Sequence, residues 1–274
     1  MPQIINTNIP SLNAQRNLNT SQGSLNNALQ RLSSGLRVNS SKDDAAGLAV
    51  AEKMNSQARG MSVAIRNAND GISLAQTAEA GMNAIGEHLQ RMRDLAVQAA
   101  SGQYDSDNRM ALNTEYDQLK SEIDRVVSAT NFNQKMLLDG TFASGITFQV
   151  GATTTGESQI DISIGKVDTT LLGADISTDA GAALSAISKI DNMINTLNTN
   201  RAALGAIQNR FEGVLTQLSA AHEATEAARS RIMDADYASE TARLARAQVL
   251  QQAGVAMLSQ ANAFPQNVLR LLQG

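Results

Sequence analysis

Residue types that most often carry chemistry are scarce in this chain. It has no Cys, and its two His residues, His88 and His222, are far apart in sequence. His222 begins the run His-Glu-Ala-Thr-Glu, but a zinc-binding helix of this type needs a second His four positions on, where Glu226 stands. The sequence therefore predicts no metal site, and without a thiol there is no cysteine nucleophile.

Other patterns that could support catalysis or cofactor binding have simpler structural explanations. Asp43 and Asp44 resemble a paired carboxylate site, but acids at this point also suit a solvated connector or a helix N-terminus, whose dipole favours negative charge. The segment 33–47 has too few glycines to cradle a phosphate and is read as a hinge. No Ser, His and Asp residues stand in a triad-like arrangement. We therefore expect no catalytic residue, no cofactor and no enzyme activity.

Charge is distributed unevenly along the chain. All 26 acidic residues lie between Asp43 and Glu240, so residues 1–42 and 241–274 carry +4 and +3 while the middle carries −11. A strongly acidic middle argues against a nucleic-acid partner, and the basic ends lack lysine clusters. The hydrophobic content of 42% with only 3% aromatic residues favours packed helices over sandwiches or barrels.

The ends are poor in charge but do not resemble membrane segments. Residues 247–269 carry no charge, yet they include eight Gln, Asn or Ser residues. No run of about 18 apolar residues exists, and the first residues lack the basic and apolar parts of a secretory signal. We therefore expect no membrane partner.

Both ends show the apolar spacing of helices that require partners. Leucines at steps of seven, four and three form one stripe on a first helix that ends at Ser33-Ser34-Gly35. A last helix begins after Asp234, and a break is expected near Phe264-Pro265. The predicted polymerisation residues are the apolar positions of these helices: Leu18, Leu25, Leu29, Leu32, Leu244, Leu250, Met257 and Leu258.

The middle of the chain predicts three further helices and a β-hairpin. A long apolar stripe over residues 65–99 is followed after Ser101-Gly102 by a helix from Asn108, and another stripe runs over about 182–229. Alternating residues at 146–150 and 160–164 predict a hairpin within about 141–164. The predicted fold is mainly α, a long-helix bundle or coiled coil with a small β-hairpin, its N- and C-terminal helices paired as a second unit. The expected division is 1–56 with 230–274, and 57–229.

Three segments resemble bacterial flagellin: residues 32–47 (LSSGLRVNSSKDDAAG), 66–73 (RNANDGIS) and 264–269 (FPQNVL). The resemblance covers essentially the whole chain and is closest to a short, two-domain type without outer variable domains. It implies a subunit of the extracellular flagellar filament, with paired terminal helices in an inner tube and the middle helices in an outer tube.

The resemblance also implies a route of assembly and a set of partners. The subunit would be secreted unfolded by the flagellar type III apparatus and would polymerise as a helical homopolymer at the distal tip. Its other partners would be the filament cap, hook-associated junction proteins and an export chaperone. The main alternative is a hook-filament junction protein. A receptor-binding or adhesive module is a second alternative, but it would need an exposed apolar or aromatic patch that the low aromatic content disfavours.

Two surfaces resemble segments that host receptors recognise in flagellins. Residues 90–98 (QRMRDLAVQ) resemble the segment bound by Toll-like receptor 5, and the matching contacts would be Arg91, Leu95, Gln98 and Glu115. Their helical spacing is expected to place the first three off the core stripe, where they could instead pack against neighbouring subunits. Leu269, Leu271 and Leu272 resemble C-terminal leucines sensed by inflammasome receptors, and packing between helices is the alternative role.

Overall fold

A computed structural model describes residues 7–153, 156–173 and 175–273, with side chains described as far as residue 263. Its helices are α1 (Ile9–Ser34), α2 (Ala45–Ala99), α3 (Ser106–Ala129), α4 (Ala180–Met233) and α5 (Tyr237–Gln273). The strands are β1 (Asn131–Phe132), β2 (Lys135–Met136), β3 (Ile146–Gln149) and β4 (Gln159–Ile162), with short 3₁₀ turns at Gly156–Ser158 and Thr169–Leu172. The predicted mainly α fold with a small hairpin is confirmed.

The chain divides into two compact units. Met1–Ser56 and Ala224–Gly274 form what we call the terminal unit, and Gln57–Glu223 forms the central unit. The terminal unit is therefore assembled from the two ends of the sequence, while the central unit is one continuous segment.

The core of the central unit is formed by the apolar stripes of its helices. Residues of α2, α3, α4 and the β3–β4 hairpin belong to one hydrophobic cluster. Its fully buried large side chains include Met82, Ile85, Leu89, Met92, Tyr116, Ile123, Ile160, Ile162 and Phe211. Burial of each such side chain stabilises a fold by about 1.5–3 kcal/mol relative to leaving it exposed. Ala at several positions of the stripe allows the helices to approach closely, and Met fills irregular gaps between them.

The β3–β4 hairpin packs against the helices of the central unit. Its strands pair antiparallel, with Phe148 opposite Ile160, and the Phe148 ring meets the Phe211 ring of α4 edge-to-face at a centroid distance of 5.9 Å. The side-chain amide of Asn67 on α2 donates to the Gln149 carbonyl at 2.9 Å. These contacts fix a two-stranded hairpin that would be marginal alone.

A second, shorter hairpin formed by β1 and β2 was not expected from the sequence. Its two turn residues, Asn133 and Gln134, have φ of 49° and 64°. Positive φ at both positions suits a tight hairpin turn, and Asn-Gly is the usual signal for it. Gln134 stands where Gly is usual, so the sequence carries only half of that signal.

The ends of α1 follow recognisable capping rules. The Asn8 side chain accepts a hydrogen bond from the Ser11 N–H at 3.1 Å, and a proline occupies the first turn. At the other end Gly35 adopts φ 72° as the C-cap, which explains the predicted stop at Ser33-Ser34-Gly35.

The predicted break at Phe264-Pro265 is wrong, because α5 continues to Gln273. Proline lacks the N–H that would bond the carbonyl four residues earlier, which here belongs to Ala261. The Asn8 side-chain amide donates to that carbonyl at 2.9 Å. A residue from the opposite end of the chain thus provides the hydrogen bond that Pro265 cannot.

Candidate functional site: the paired terminal helices

α1 and α5 run antiparallel, as a series of contacts along their length shows. Asn8 reaches Ala261, Gln22 reaches Gln251, and Arg31 reaches Glu240. Each step forward on α1 therefore corresponds to a step backward on α5. The ends of the sequence form a helical hairpin whose two arms are more than 200 residues apart.

Among the residues whose side chains are described, few apolar ones are buried between these two helices. The buried residues of α1 are Ser11, Leu25 and Ala28, and Ala247 is buried on α5. Leu18 packs over Gly254, where an added Cβ would lie 3.3 Å from the leucine Cδ1. This narrow seam leaves most of the circumference of both helices uncovered.

Polar contacts set the register at the end of the hairpin nearest residue 8. The buried Ser11 hydroxyl donates to the Asn262 side-chain oxygen at 2.8 Å, one turn along from the bond between Asn8 and Ala261. Farther along, the Gln251 amide donates to the Gln22 side-chain oxygen at 2.6 Å. Because these groups are directional, a shift of the helices by one turn would leave them unpaired.

An ion cluster fixes the opposite end of the hairpin. The Glu240 side chain is only 6% exposed, and its Oε1 atom lies 3.2 Å from Arg31 Nη1 and 2.9 Å from Arg243 Nη1. The Tyr237 hydroxyl donates to the Leu32 carbonyl at 3.1 Å. Breaking the ion pairs of such a buried carboxylate would be strongly destabilising, since removal of one partner leaves an uncompensated buried charge.

The predicted polymerisation residues fall into three groups by exposure. Leu25 is buried between the helices, and Leu18, Leu32, Leu244 and Leu258 are half-buried. Leu29, Leu250 and Met257 are exposed, at 48%, 51% and 63%. Sequence reasoning followed one stripe per helix and missed five further exposed large hydrophobic residues: Ile9, Leu12, Tyr237, Val249 and Val255. Apolar side chains on several faces of one helix are the signal that could have identified them.

The connector after α1 is organised by Asp43. Its Oδ2 accepts hydrogen bonds from the Asn39 and Ser40 N–H groups, both at 3.1 Å, and from the Ser40 hydroxyl at 3.2 Å. The two backbone N–H groups hold the pKa of the Asp43 carboxyl below its usual value. Asp43 therefore serves as a turn residue of the connector.

The segment predicted to contact a receptor is only partly on the surface. Arg91 on α2 pairs with Glu115 on α3, with Nη2 and Oε1 2.6 Å apart, and both side chains are about half exposed. Gln98 is exposed and donates to the Tyr104 hydroxyl at 2.8 Å. The expectation that Leu95 lies off the core is wrong, because it is 1% exposed within the central cluster. The apolar face of α2 is wider than the single stripe read from the sequence and includes this position.

The described residues contain neither a cluster of histidines nor a metal site. None of their His, Asp and Glu side chains form a group of three or more suited to a metal ion. His222 Nε2 lies 3.2 Å from the Ser62 hydroxyl, which links α4 to α2 within the central unit.

No helix of the described ranges is both long and apolar enough to cross a membrane. Leu269, Leu271 and Leu272 lie outside the residues whose side chains are described.

The chain is similar to known proteins over nearly all of its length. Residues 5–143 match the family model of the bacterial flagellin N-terminal helical region, and residues 187–272 match that of the C-terminal helical region. A flagellin of Halalkalibacterium halodurans is 45% identical, covering 98% of this chain and 100% of the relative. A flagellar filament 33 kDa core protein of Treponema phagedenis is 40% identical, with coverage of 98% and 100%.

A solved structure provides a comparison of fold. A protein of Vibrio parahaemolyticus assigned as flagellar hook-associated aligns with a TM-score of 0.61, covering 70% of this chain and 100% of that one. Its identity is 14%, so the likeness concerns the fold alone.

Proposed function

We propose that this chain, which belongs to the bacterial flagellin family, polymerises through its terminal helices. The chain is a structural subunit of the flagellar filament, which is an extracellular homopolymer. The family is a structural one and not an enzyme family. The alternative of a hook-filament junction protein is not favoured, because the flagellin relatives match the full chain whereas the hook-associated protein shares only the fold.

The observation that carries the proposal is the apolar surface left open on α1 and α5. Of the exposed large hydrophobic residues in the described ranges, about half lie on these two helices: Ile9, Leu12, Leu29, Tyr237, Val249, Leu250, Val255 and Met257. Removing such groups from water stabilises a protein by about 25 cal/mol for each Å² of apolar surface that is covered. Further copies of the same helices would cover them.

The absence of acids from residues 1–42 and 241–274 supports the same role. In a helical polymer every contact is repeated, so an unpaired carboxylate would be desolvated once per subunit. Glu240, the last acid before the uncharged stretch, is buried and already paired with two arginines. The polymerisation residues are therefore proposed as the predicted set from Leu18 to Leu258, with the exposed members Leu29, Leu250 and Met257 at contacts between subunits.

The proposed assembly route couples folding to polymerisation. The subunit is exported unfolded by the flagellar type III apparatus, escorted by an export chaperone. It folds on addition beneath the cap at the distal tip, and hook-associated junction proteins connect the filament to the hook. The narrow α1–α5 seam supports this route, because two helices with few buried side chains gain most of their order from neighbours. Residues 1–56 with 230–274 are proposed to form the inner tube, and residues 57–229 the outer tube.

Proteolysis tests this coupling. We expect residues 1–42 and 241–274 to be cleaved rapidly in the free subunit and to be protected in filaments grown from seeds, since ordering of α1 and α5 requires neighbours. Fragment masses at matched protease concentrations measure the difference, and the central unit is the internal control. Equal cleavage of the ends in both states would contradict the proposal.

A second proposal concerns recognition of the free subunit by Toll-like receptor 5. The exposed pair Arg91 and Glu115, with Gln98 about two turns along α2, forms a polar surface that supports such contact. Arg91→Ala and Gln98→Ala should each weaken activation of receptor-bearing reporter cells, while Arg125→Ala on the exposed Glu122 pair of α3 should not. Equal activation by all three variants would contradict the assignment. For Leu269, Leu271 and Leu272 we keep the proposal of recognition by inflammasome receptors.

A further inference from the structure

A polar groove lies between α1 and α5 near the Glu240 end of the hairpin. Its volume is about 360 Å³, and its charged lining consists of Arg31, Glu240, Arg243 and Arg246. Thr20, Ser24 and Asn27 of α1 line the same space. We call this space the arginine groove. Both helices contribute to its walls, so any occupant would touch the two ends of the chain at once.

The arginine groove carries an excess of positive charge. The groove holds one carboxylate, that of Glu240, and three guanidinium groups. Arg31 and Arg243 both pair with the same carboxylate oxygen, Oε1. Arg246 makes no ion pair with any described residue. Residues 1–42 and 241–274 contain no acid, so these stretches of the hairpin offer no further negative charge to the groove. The Asp43 carboxylate of the connector attracts Arg31 from outside the groove, and the groove itself still holds more guanidinium groups than carboxylates.

The donors that face the arginine groove are guanidinium groups rather than hydroxyls. The Thr20 and Ser24 hydroxyls already donate to the carbonyls of Arg16 and Thr20 on their own helix. Each guanidinium has five N–H donors, and Arg31 and Arg243 each use one on Glu240. That carboxylate is buried when α1 and α5 are paired, so the paired state holds both arginines beside the groove. A fixed fork of donors suits planar or tetrahedral oxyanions, which bind arginine in bidentate fashion.

We propose that the arginine groove is a binding site for a divalent oxyanion of the phosphate or sulfate type. The anion would neutralise the excess positive charge of the groove, with Arg246 as its principal ligand and the remaining N–H groups of Arg31 and Arg243 completing the contact. Because the walls come from both helices, the bound anion stabilises their pairing. By mass action, an anion that binds only the paired state shifts the chain toward that state.

This proposal concerns pairing of α1 and α5 within one chain. Because that pairing is proposed to be incomplete without neighbouring subunits, an anion can increase it, and the test uses the full-length free subunit. Sodium phosphate is titrated against sodium chloride of equal ionic strength, and hydrogen exchange of residues 20–31 and 240–250 is followed by mass spectrometry. Phosphate should slow exchange in both segments with a saturable dependence, and sulfate should do the same. Chloride should have no saturable effect. Low millimolar concentrations keep this effect apart from the general salting-out of apolar surface by these anions.

Two variants distinguish anion binding at the arginine groove from a general electrostatic attraction of anions to basic residues. Arg246→Gln removes the unpaired arginine and should raise the half-saturating phosphate concentration at least tenfold. Arg16→Gln removes one positive charge from α1 outside the groove and should change the half-saturating phosphate concentration less than twofold. Equal effects of the two variants, or no saturable response in the unaltered chain, would overturn the proposal. Protection that appears only on filament growth in chloride, without any phosphate effect, would overturn it too and assign the groove to a carboxylate of a neighbouring subunit.

Discussion

Leu95 illustrates how a single residue can be mistaken for a surface contact. It lies between the exposed residues Arg91 and Gln98 on α2, yet its side chain is buried among the core residues of the central unit. Any loss of receptor activation on its replacement would therefore reflect altered packing of α2 as well as a lost contact. Arg91 and Gln98 are the residues whose substitution tests the proposed recognition.

Leu95→Ala should lower the free energy of unfolding of the central unit by about 2–5 kcal/mol, since it removes buried methyl groups and leaves a cavity. Val97→Ala on the same helix, at 48% exposure, should cost less than about 0.5 kcal/mol. Chemical denaturation followed by circular dichroism measures both. Equal stability of the two variants would show that Leu95 is not in the core.

Tyr116 predicts a dependence of stability on alkaline pH. Its side chain is buried, its hydroxyl donates to the Leu172 carbonyl at 3.3 Å, and burial raises its pKa to about 12. The ordinary value is 10.0, so the folded state favours the protonated phenol. The contribution is complete below pH 10 and is lost as the pH rises from 10 toward 12.

Stability curves at several alkaline pH values test this titration. Between pH 10 and 12 the free energy of unfolding of the unaltered chain should fall more steeply than that of Tyr116→Phe, which lacks the ionisable group. At neutral pH the variant should be weaker by about 1 kcal/mol because the hydrogen bond to Leu172 is lost. Parallel curves for the two proteins would contradict the assignment.

At the scale of elements, α5 shows that a helix-breaking residue can be accommodated by a partner from elsewhere in the chain. Pro265 leaves the Ala261 carbonyl without its helical donor, and Asn8 of α1 supplies one at 2.9 Å. Local rules predict a stop at such a proline. They cannot include a donor more than 250 residues away in sequence.

Asn8→Ala should raise the critical concentration for filament growth about tenfold, because it removes both the N-cap of α1 and this donor, a loss of about 1–2 kcal/mol. Asn13→Ala, at an exposed site on the same helix, is the control and should have little effect. In a Pro265→Ala background the carbonyl regains a helical N–H, so the cost of Asn8→Ala should fall by roughly 0.5–1 kcal/mol. An unchanged cost would mean that Asn8 acts only as a cap.

Repeating apolar positions predicted most helices and the β3–β4 hairpin, because the stripes of α2, α3 and α4 are buried as their spacing requires. The short β1–β2 hairpin was missed since Gln134 lacks the usual glycine signal. Of the terminal helices, Leu25 could be placed from its stripe, but Ile9, Leu12 and Val255 could not. We propose that these exposed side chains contact other copies of the chain, and the apolar spacing within one helix does not identify such contacts.

At the scale of the whole molecule, the two units differ in how completely they satisfy their own apolar surface. The central unit buries large side chains from α2, α3, α4 and its hairpin in one continuous cluster. Among its described residues, the terminal unit buries few apolar side chains between α1 and α5, and Val38, Ala51 and Met233 form a separate small cluster. One unit is therefore expected to fold within the subunit, whereas the other depends on neighbours for its stability.

Seeded growth of a Met257→Asp variant tests this dependence most directly. Met257 is 63% exposed on α5, so aspartate there should leave the subunit fold intact while desolvation of its charge blocks contact between copies. Met257→Leu keeps the apolar surface and is the matched control. Electron microscopy should show long filaments for the unaltered chain and for Met257→Leu, and none for Met257→Asp, whose central unit retains its helical circular dichroism. Growth of Met257→Asp filaments at the unaltered critical concentration would contradict the role of the terminal helices in polymerisation.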